Sequence, residues 1–357
     1  MIPAPGAPLQ RSDSDLQSRL ISLAEQFNGR RIIVVGDIIA DEYMYGQLSR
    51  LSREAPVPIL SYDGTTVVPG GAANAASNVA TLGGQADLIG LAGRGGVDRK
   101  VIQALPPEVD TARLLRPAGY HVPVKTRILA GGQHSARQQI VRVDRDSSPV
   151  DSIVFKQKIA RAASAALSNA DAVIISDYGS GLITPELVVT LKTQLEKLGK
   201  RRRRRQFPVV ADSRYKLMRF RGCTACTPNQ AEVEASLGIS VDDNVRNLEI
   251  AGRTLLKRTR ARGVVITLGS RGMAVFAPGR RTDRIAIYGS DEVADVTGAG
   301  DTVIATLTLA LSAGASLYEA ACLANYAGGL VVLKRGTATV SGDELVAAIH
   351  GDRDREG

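Results

Sequence analysis

The sequence contains no tryptophan, and only 4% of its 357 residues are aromatic. So few aromatic side chains argue against a surface that stacks the bases of single-stranded nucleic acid. There is no run of 18 apolar residues, and the start "MIPAPGAPLQRSDSD" has neither the charged nor the apolar region of a secretory signal. We therefore expect a cytoplasmic protein without a membrane span or a membrane partner.

Cysteine and histidine are also scarce, with three residues of each. Cys223 and Cys226 form a CxxC pair, which could be a redox pair or half of a zinc site. There is no second CxxC, and the only histidines are His121, His134 and His350. We therefore expect both cysteines to be small apolar residues of the core.

Positive charge is plentiful, with a formal net charge of +9. Such an excess is compatible with a nucleic-acid partner or with an anionic small substrate, and composition alone does not decide between them. Part of it lies in one run, "GKRRRRRQF", between a helical pattern and the strand-like "PVVAD". A solvated loop at Arg201–Arg205 is the simpler interpretation, and we expect no nucleic-acid contact.

Apolar β-branched strands alternate with helical patterns along most of the chain. "RIIVVGD", "ADLIGLAG", "DAVIISDYGSG", "FPVVADSR", "CTACTPN" and "GVVITLGSRG" are separated by stretches such as "ANAASNVATLG" and "NLEIAGRTLLKRTR". This alternation predicts an α/β fold with a doubly wound, mostly parallel sheet and helices on both faces. Most of the strands end in Asp, Gly, Ser or Asn, which places polar groups along one edge of the sheet.

Two stretches break the alternation. Pro56–Val68 and Tyr120–Val143 have the period-two pattern of hairpins with no helix between their strands. We assign them to a small antiparallel sheet that covers the crevice as a lid, from about 42–68 and 120–145. The expected organisation is an arm and helix over 1–28, one domain over 29–347 and a C-terminal tail over 348–357.

The motif "DVTGAGD", from Asp295 to Asp301, precedes a buried helical pattern. Glycines leave the N–H groups at the helix start bare, and such a terminus binds anions. In phosphoryl transfer the amides of Gly298, Ala299 and Gly300 would face the charge on the transferred group, and Asp301 would face the attacking hydroxyl as a weak base. The simpler alternative is a glycine-rich turn in which Asp301 only complements the helix dipole.

Other polar clusters follow neighbouring strands. Asn229 and Glu232, three residues apart at a helix start, could both reach one hydrated Mg²⁺, although a capped helix explains them equally well. Thr267, Gly269 and Gly272 form a turn that lets phosphates approach the backbone.

Near the N-terminus, "PGGAAN" supplies Gly70 and Gly71 for close backbone approach and Asn74 as a donor and acceptor for sugar hydroxyls. Asp41, which follows the first strand, could accept two hydroxyls from the same ligand.

Together these motifs resemble the ribokinase-like (PfkB) carbohydrate kinase family from about residue 30 to 345. The resemblance implies a ribokinase fold with a β-sheet lid, ATP as the phosphoryl donor, Mg²⁺ as cofactor and Asp301 as catalytic base. It also implies sugar contacts for Asp41, Gly71 and Asn74. The residues that it places around the metal and the nucleotide are Asn229, Glu232, Thr267, Gly269 and Asn325, with a monovalent cation near Asp295 as a further suggestion. A homodimer that pairs through the lid is expected as well.

Within the family, "SRLSREAPVPIL", "SDYGSG" and "TPNQAE" are most similar to kinases of D-glycero-β-D-manno-heptose 7-phosphate. A second phosphate on the acceptor would give the basic lid a purpose, with Arg50 as the first candidate to hold it. The other candidate cations are Lys125, Arg137 and Arg142.

Three features depart from those kinases. Asp212-Ser213-Arg214-Tyr215 stands where Asp-Pro-Lys-Gly is usual, so that Arg214 would replace a nucleotide-side lysine, and Arg53 stands where proline is usual. No HxGH motif of a nucleotidyltransferase is present, so we expect no second activity. An unphosphorylated sugar or a nucleoside remains an alternative acceptor. The alternative of another class is a non-catalytic sugar-sensing or nucleic-acid-associated protein.

Overall fold

A nine-stranded sheet and a four-stranded sheet organise the computed structural model, which describes residues 13–131, 137–147, 152–201, 207–241, 244–289 and 295–356. The strands are β1 Arg31–Gly36, β2 Ile38–Leu51, β3 Pro58–Gly71, β4 Gln85–Ile89, β5 Val109–Asp110, β6 Val124–Gly131, β7 Gln138–Arg145, β8 Ala172–Asp177, β9 Val209–Ser213, β10 Ala225–Cys226, β11 Val264–Thr267, β12 Met273–Phe276 and β13 Asp283–Ile285. The helices are α1 Asp13–Glu25, α2 Ala72–Thr81, α3 Gly96–Gln103, α4 Ile153–Ala166, α5 Pro185–Arg201, α6 Gln230–Leu237, α7 Val245–Thr259, α8 Ala299–Ser312, α9 Leu317–Val332 and α10 Gly342–Glu356.

The large sheet has the order β13-β12-β11-β10-β9-β8-β1-β4-β5. The seven strands from β11 through β1 to β5 are parallel to their neighbours in this order, whereas β12 and β13 are antiparallel additions at one edge. The side chains of β1 alternate between the two faces. Ile32 and Val34 pack in the core that contains α2, α8 and α9, and Ile33 and Val35 pack with α4 and α5. Helices therefore cover both faces, and the predicted fold class is confirmed.

The small sheet has the order β3-β2-β6-β7. The β2–β3 and β6–β7 pairs are antiparallel, but β2 and β6 run parallel, so the predicted all-antiparallel sheet was wrong in this pair. The chain passes through α2, β4, α3 and β5 before β6, and it re-enters the small sheet from the end at which β2 entered. Asp37 alone separates β1 from β2, which fixes this sheet at the carboxyl edge of the large one.

The two ends of the described chain pack on the same core. Leu20, Leu23 and Phe27, in and after α1, are buried with the helices α9 and α10. The helix α10 continues to Glu356, past the boundary expected at residue 347, and Ile349 is fully buried. Of the arginine run only the backbone of Arg201 is described, as the last residue of α5. No helix in the described ranges is both long and apolar enough to span a bilayer.

Candidate active site

A cavity of about 500 Å³ lies at the carboxyl edge of the large sheet, where the small sheet covers it. The sequence explains its polarity, because β8 and β9 end in acidic or hydroxyl residues and the small sheet supplies cations. The charged side chains that line it are Asp41, Lys125, Arg127, Asp177, Asp212, Arg214, Glu232 and Asp301. Both signs of charge therefore face one small volume.

Asp301 lies at the floor of this cavity, in the first turn of α8. Its side chain is buried, with 3% of the residue exposed, and it accepts two hydrogen bonds. The Tyr178 hydroxyl donates to Oδ1 at 2.9 Å, and the Asn74 Nδ2 donates to Oδ2 at 2.9 Å. Tyr178 was not among the predicted site residues, although it belongs to the "SDYGSG" segment.

Burial raises the pKa of Asp301 to about 7. The hydrogen bonds from Asn74 and Tyr178 lower it, the charge of Asp41 raises it, and Lys125 lowers it. The sequence predicted a weak base, whereas in the structure burial outweighs the lowering by both hydrogen-bond donors, so the pKa lies above its usual range. A carboxylate with a pKa near neutrality is suited to general base catalysis.

The helix start beside Asp301 depends on glycine. Gly298 has φ +82°, and a β-carbon there would lie 2.6 Å from Nδ2 of Asn74. Among the described residues the N–H groups of Gly298 and Gly300 make no backbone hydrogen bond, whereas Ala299 donates to the Val296 carbonyl at 3.3 Å. Two of the three predicted amides are thus available to an anion, and that of Ala299 is partly engaged.

Asp41 and two cations of β6 form the wall opposite Asp301. Arg127 donates to Oδ1 of Asp41 at 2.6 Å, and the Thr337 hydroxyl donates to Oδ2 at 3.3 Å. The ammonium of Lys125 lies 5.3 Å from the centre of the Tyr178 ring, and burial lowers its pKa. Sequence reasoning missed Arg127, although Lys125 and Arg127 are two apart on one strand and so share a face.

The other predicted lid cations do not line the cavity. Arg50 is exposed at the far end of β2. Arg137 pairs with Asp63 at 2.7 Å, and Arg142 pairs with Asp144 through two hydrogen bonds of 2.8 and 3.0 Å. Their expected contact with a second phosphate is therefore not supported, since exposed acidic partners within the small sheet hold two of the three side chains.

Residues of the "PGGAAN" segment contact two carboxylates of the site. Gly70 packs so closely on the Asp41 carboxylate that a β-carbon would collide with it. Gly71 lines the cavity with φ +58°. Asn74, predicted to hold the sugar, is 2% exposed and does not line the cavity. Its amide is used by Asp301 and by Asn78, so it orients the carboxylate instead.

Asp212 contributes a further carboxyl group to this cavity. Its Oδ1 is buried and has no hydrogen-bond partner among the described residues, and burial together with the charges of Glu232 and Asp301 raises its pKa strongly. Asn229 and Glu232 form a capping box, in which the Asn229 side chain accepts from the Glu232 N–H at 2.9 Å. Both nevertheless line the cavity beside Asp212. The orphaned carboxylate oxygen and its acidic neighbour fit a hydrated divalent cation, which needs only one or two protein carboxylates.

A second cavity of about 440 Å³ adjoins the first, and Asn229 and Gly300 line both. The four residues Thr267, Gly269, Gly272 and Asn325, predicted around a nucleotide, all line it, as do apolar side chains such as Met273 and Val303. Asn325 donates to the Ala286 carbonyl at 2.7 Å.

Two predicted residues lie elsewhere. Arg214 lines the first cavity, together with Lys125, and not the second. Asp295 lines neither cavity, and its two oxygens accept hydrogen bonds from the backbone N–H groups of Thr297 and Gly336, at 2.9 and 3.2 Å. It is therefore not placed with Asn229 and Glu232.

Comparisons with known proteins match the chain to a family and to a fold. Residues 30–343 match the pfkB family of carbohydrate kinases. The bifunctional protein HldE of Desulfatibacillum aliphaticivorans is 38% identical over 325 residues, which are 90% of this chain and 64% of that protein. The HldE of Coxiella burnetii is 38% identical over 332 residues, 92% of this chain and 65% of the relative. The chain thus spans slightly less than two thirds of the length of these relatives.

Solved structures show the same fold. An Arabidopsis thaliana ribokinase, solved with ribose and ATP, has a TM-score of 0.67 and 19% identity over 90% of this chain and 99% of its own. Phosphofructokinase-2 from Escherichia coli, solved with potassium, has a TM-score of 0.68 and 19% identity over 91% of this chain and 99% of its own.

Proposed function

Because this chain belongs to the pfkB family of carbohydrate kinases, we propose that it transfers the γ-phosphoryl group of ATP to the anomeric hydroxyl of a heptose 7-phosphate. A sugar kinase is the activity that the family establishes, and the acceptor and its reactive hydroxyl are the proposed part. The observation that carries the proposal is the buried Asp301, with a pKa of about 7, beside the N–H groups that begin α8.

The reaction needs a base and an anion site next to each other. The anomeric oxygen attacks the γ-phosphorus, the bond from that phosphorus to the β,γ-bridging oxygen breaks, and ADP leaves. The proton of the sugar hydroxyl passes to Asp301, whose two oxygens are held by Tyr178 and Asn74. Since Tyr178 lines the cavity and Asn74 does not, Oδ1 is the oxygen that we assign to the sugar hydroxyl.

The start of α8 serves the transferred group. The N–H groups of Gly298 and Gly300 stabilise the negative charge of its equatorial oxygens, because they are fixed before the reaction and need no reorganisation. Gly300 lines both cavities, so the phosphates of a nucleotide in the second cavity can reach the acceptor in the first.

Asp212 and Glu232 are the residues that would hold Mg²⁺, directly or through water. An ion bound there would neutralise part of the negative charge of the nucleotide phosphates. The protein itself contributes two closely spaced carboxylates whose pKa values are both raised by burial, and a nearby cation would relieve that cost.

A phosphorylated acceptor is supported by the cations of the first cavity. Arg127 is neutralised by Asp41, but Lys125 and Arg214 line the cavity without an acidic partner within 4.0 Å among the described residues. Burial lowers the Lys125 pKa, and the charge of Arg214 lowers it further. A phosphate between them would relieve this repulsion. The resemblance to heptose 7-phosphate kinases in "SDYGSG" and "TPNQAE" points to the same class of acceptor.

The direct test is a kinase assay against a matched panel of heptose 7-phosphate, the same heptose without phosphate, fructose 6-phosphate, ribose and a nucleoside. Phosphorus NMR of the product identifies the oxygen that receives the phosphoryl group. We expect the heptose 7-phosphate to have the highest kcat/KM and to yield a 1,7-bisphosphate. A higher kcat/KM for an unphosphorylated sugar would contradict the acceptor, and no turnover with any member would contradict catalysis.

We also infer that the small sheet pairs with a second copy of the chain. All eight residues of β7 are exposed, and Leu48, Leu51, Tyr62 and Ile140 are each at least half exposed on this sheet. A sheet that exposes such apolar side chains is expected to pack against another protein surface. Sedimentation equilibrium should give twice the monomer mass for the parent chain and a monomer after Leu48→Lys with Ile140→Lys, whereas a monomeric parent would contradict the inference.

A further inference from the structure

A third cavity, of about 380 Å³, lies on the other side of the wall that bounds the second cavity. The helix α1 contributes Gln17 to it, α9 contributes Cys322 and Tyr326, and α10 contributes Asp352. The segment 285–289, which begins at the last residue of β13, closes one side. The cavity is large enough for a small organic molecule, and neither the substrates nor the metal of the proposed reaction uses it.

Gln17 contributes a polar group to this cavity. Only 7% of the residue is exposed, and its carboxamide makes no side-chain hydrogen bond to another described residue. Since Gln17 lines the cavity, a molecule in it could supply both a donor and an acceptor.

Charge and shape narrow the class of that molecule. Asp352 is the only charged side chain among the described residues that line the cavity, so a phosphate or carboxylate would be repelled. The rings of Tyr288 and Tyr326 lie 4.6 Å apart between centroids and form an aromatic wall. The Tyr326 hydroxyl donates to Oδ2 of Asp352 at 2.7 Å, which fixes the carboxylate beside that wall. A flat molecule with one positive charge is complementary to both features.

The cavity also shares structure with the proposed nucleotide site. Ile287 and Asn325 line both cavities. The Asn325 amide donates to the Ala286 carbonyl, and the Tyr288 carbonyl packs directly on Gly329 of α9. A ligand on one side of this single segment therefore contacts the residues that shape the other side.

We propose that the third cavity binds a small planar organic cation and that its occupation changes the affinity of the second cavity for ATP. The coupling to ATP rests on the proposed function, but the binding itself does not. If a ligand that contacts Ile287 and Asn325 favours one position of this wall, then by thermodynamic linkage ATP and the ligand alter each other's affinity by the same factor.

Calorimetry with the full chain tests the binding, with benzamidine as the probe and benzamide and benzoate as its neutral and anionic counterparts. We expect benzamidine to bind with a millimolar or lower Kd and the other two to bind at least about tenfold more weakly. Asp352→Asn should weaken benzamidine about tenfold and Gln17→Leu severalfold, whereas Asp343→Asn, an exposed change on the same helix, should have no effect. No binding at about 10 mM, or equal affinity in the Asp352 and Gln17 variants, would overturn the site.

The coupling is tested by titrating ATP with and without saturating benzamidine. A change of about fivefold in the Kd of ATP, absent in Asp352→Asn, is expected. An unchanged Kd would overturn the coupling. A chain that binds benzamidine but binds no ATP under any condition would contradict the proposed function and leave the benzamidine result standing.

Discussion

The Tyr178 hydroxyl donates to Oδ1 of Asp301 at 2.9 Å, and this hydrogen bond works against the burial that raises the pKa of the carboxyl group to about 7. Among the charged groups near Asp301, Asp41 raises its pKa and Lys125 lowers it, and the charge of Asp301 in turn raises the pKa of Asp212. The phenol itself stays protonated, because burial and the neighbouring carboxylates raise the Tyr178 pKa well above its usual value. Tyr178 is thus a positioning residue for the base.

Tyr178→Phe should therefore shift the pH dependence of the kinase. Without the hydroxyl, the carboxylate of Asp301 loses a stabilising donor, so its pKa should rise above 7 and the acidic limb of the kcat profile should move to higher pH. At neutral pH we expect kcat to fall roughly tenfold and to recover in part at alkaline pH. An acidic limb at the same pH as in the parent, measured on a variant with unchanged circular dichroism, would contradict this role.

Asn74→Ala separates support of the base from contact with the sugar. Asn74 donates to Oδ2 of Asp301 and lies outside the cavity, so its loss should lower kcat by roughly tenfold and leave the KM of the acceptor nearly unchanged. The expectation from sequence, that Asn74 holds a sugar hydroxyl, would instead raise KM. Steady-state kinetics at saturating ATP distinguish the two results.

Lys125→Ala and Arg50→Ala form a matched pair of lid variants. Lys125 lines the cavity, so its loss should raise the KM of a sugar phosphate by roughly ten to a hundredfold, with less effect on the unphosphorylated sugar. Arg50 is exposed at the far end of β2 and should change that KM less than about twofold. A large effect of Arg50→Ala with none of Lys125→Ala would contradict the arrangement of the cavity.

Asp301 should also destabilise the fold at neutral and alkaline pH. Its pKa is about 7 in the folded chain against 3.8 for an ordinary aspartate, so the folded state binds a proton more tightly. Stability is therefore lost as the pH rises from about 4 to about 7. Asp301→Asn removes this ionisation, and its Tm should exceed that of the parent by more at pH 8 than at pH 5. A difference in Tm that is the same at both pH values would contradict the raised pKa.

Much of the fold could be predicted because its signals are local. Runs such as Ile32–Val35 are apolar on both faces of a strand, and the helix patterns between them leave few arrangements other than a doubly wound sheet. Asp301 and Thr267 were also predicted as site residues, since residues that follow parallel strands or begin the helices between them meet at one edge.

The remaining details depend on contacts between distant segments. Asn74 and Asp301 are 227 residues apart, and only the packed fold shows that the amide donates to the carboxylate. Likewise the sequence shows that Arg50, Arg137 and Arg142 are basic, but not that Asp63 and Asp144 hold two of them. Arg127 and Asp212 were missed because one cation and one strand-end aspartate look the same whether they are buried or solvated.

The most direct test of the account is the turnover of Asp301→Asn with both substrates shown by calorimetry to bind. The amide keeps the shape of the side chain and can still accept from Asn74 while donating to Tyr178, but it cannot take a proton from the sugar. We predict that kcat falls by roughly a hundredfold to ten-thousandfold while the Kd values of ATP and the acceptor change little. A kcat within a few-fold of the parent would show that Asp301 is only the first-turn residue of α8 and would contradict its role as the base.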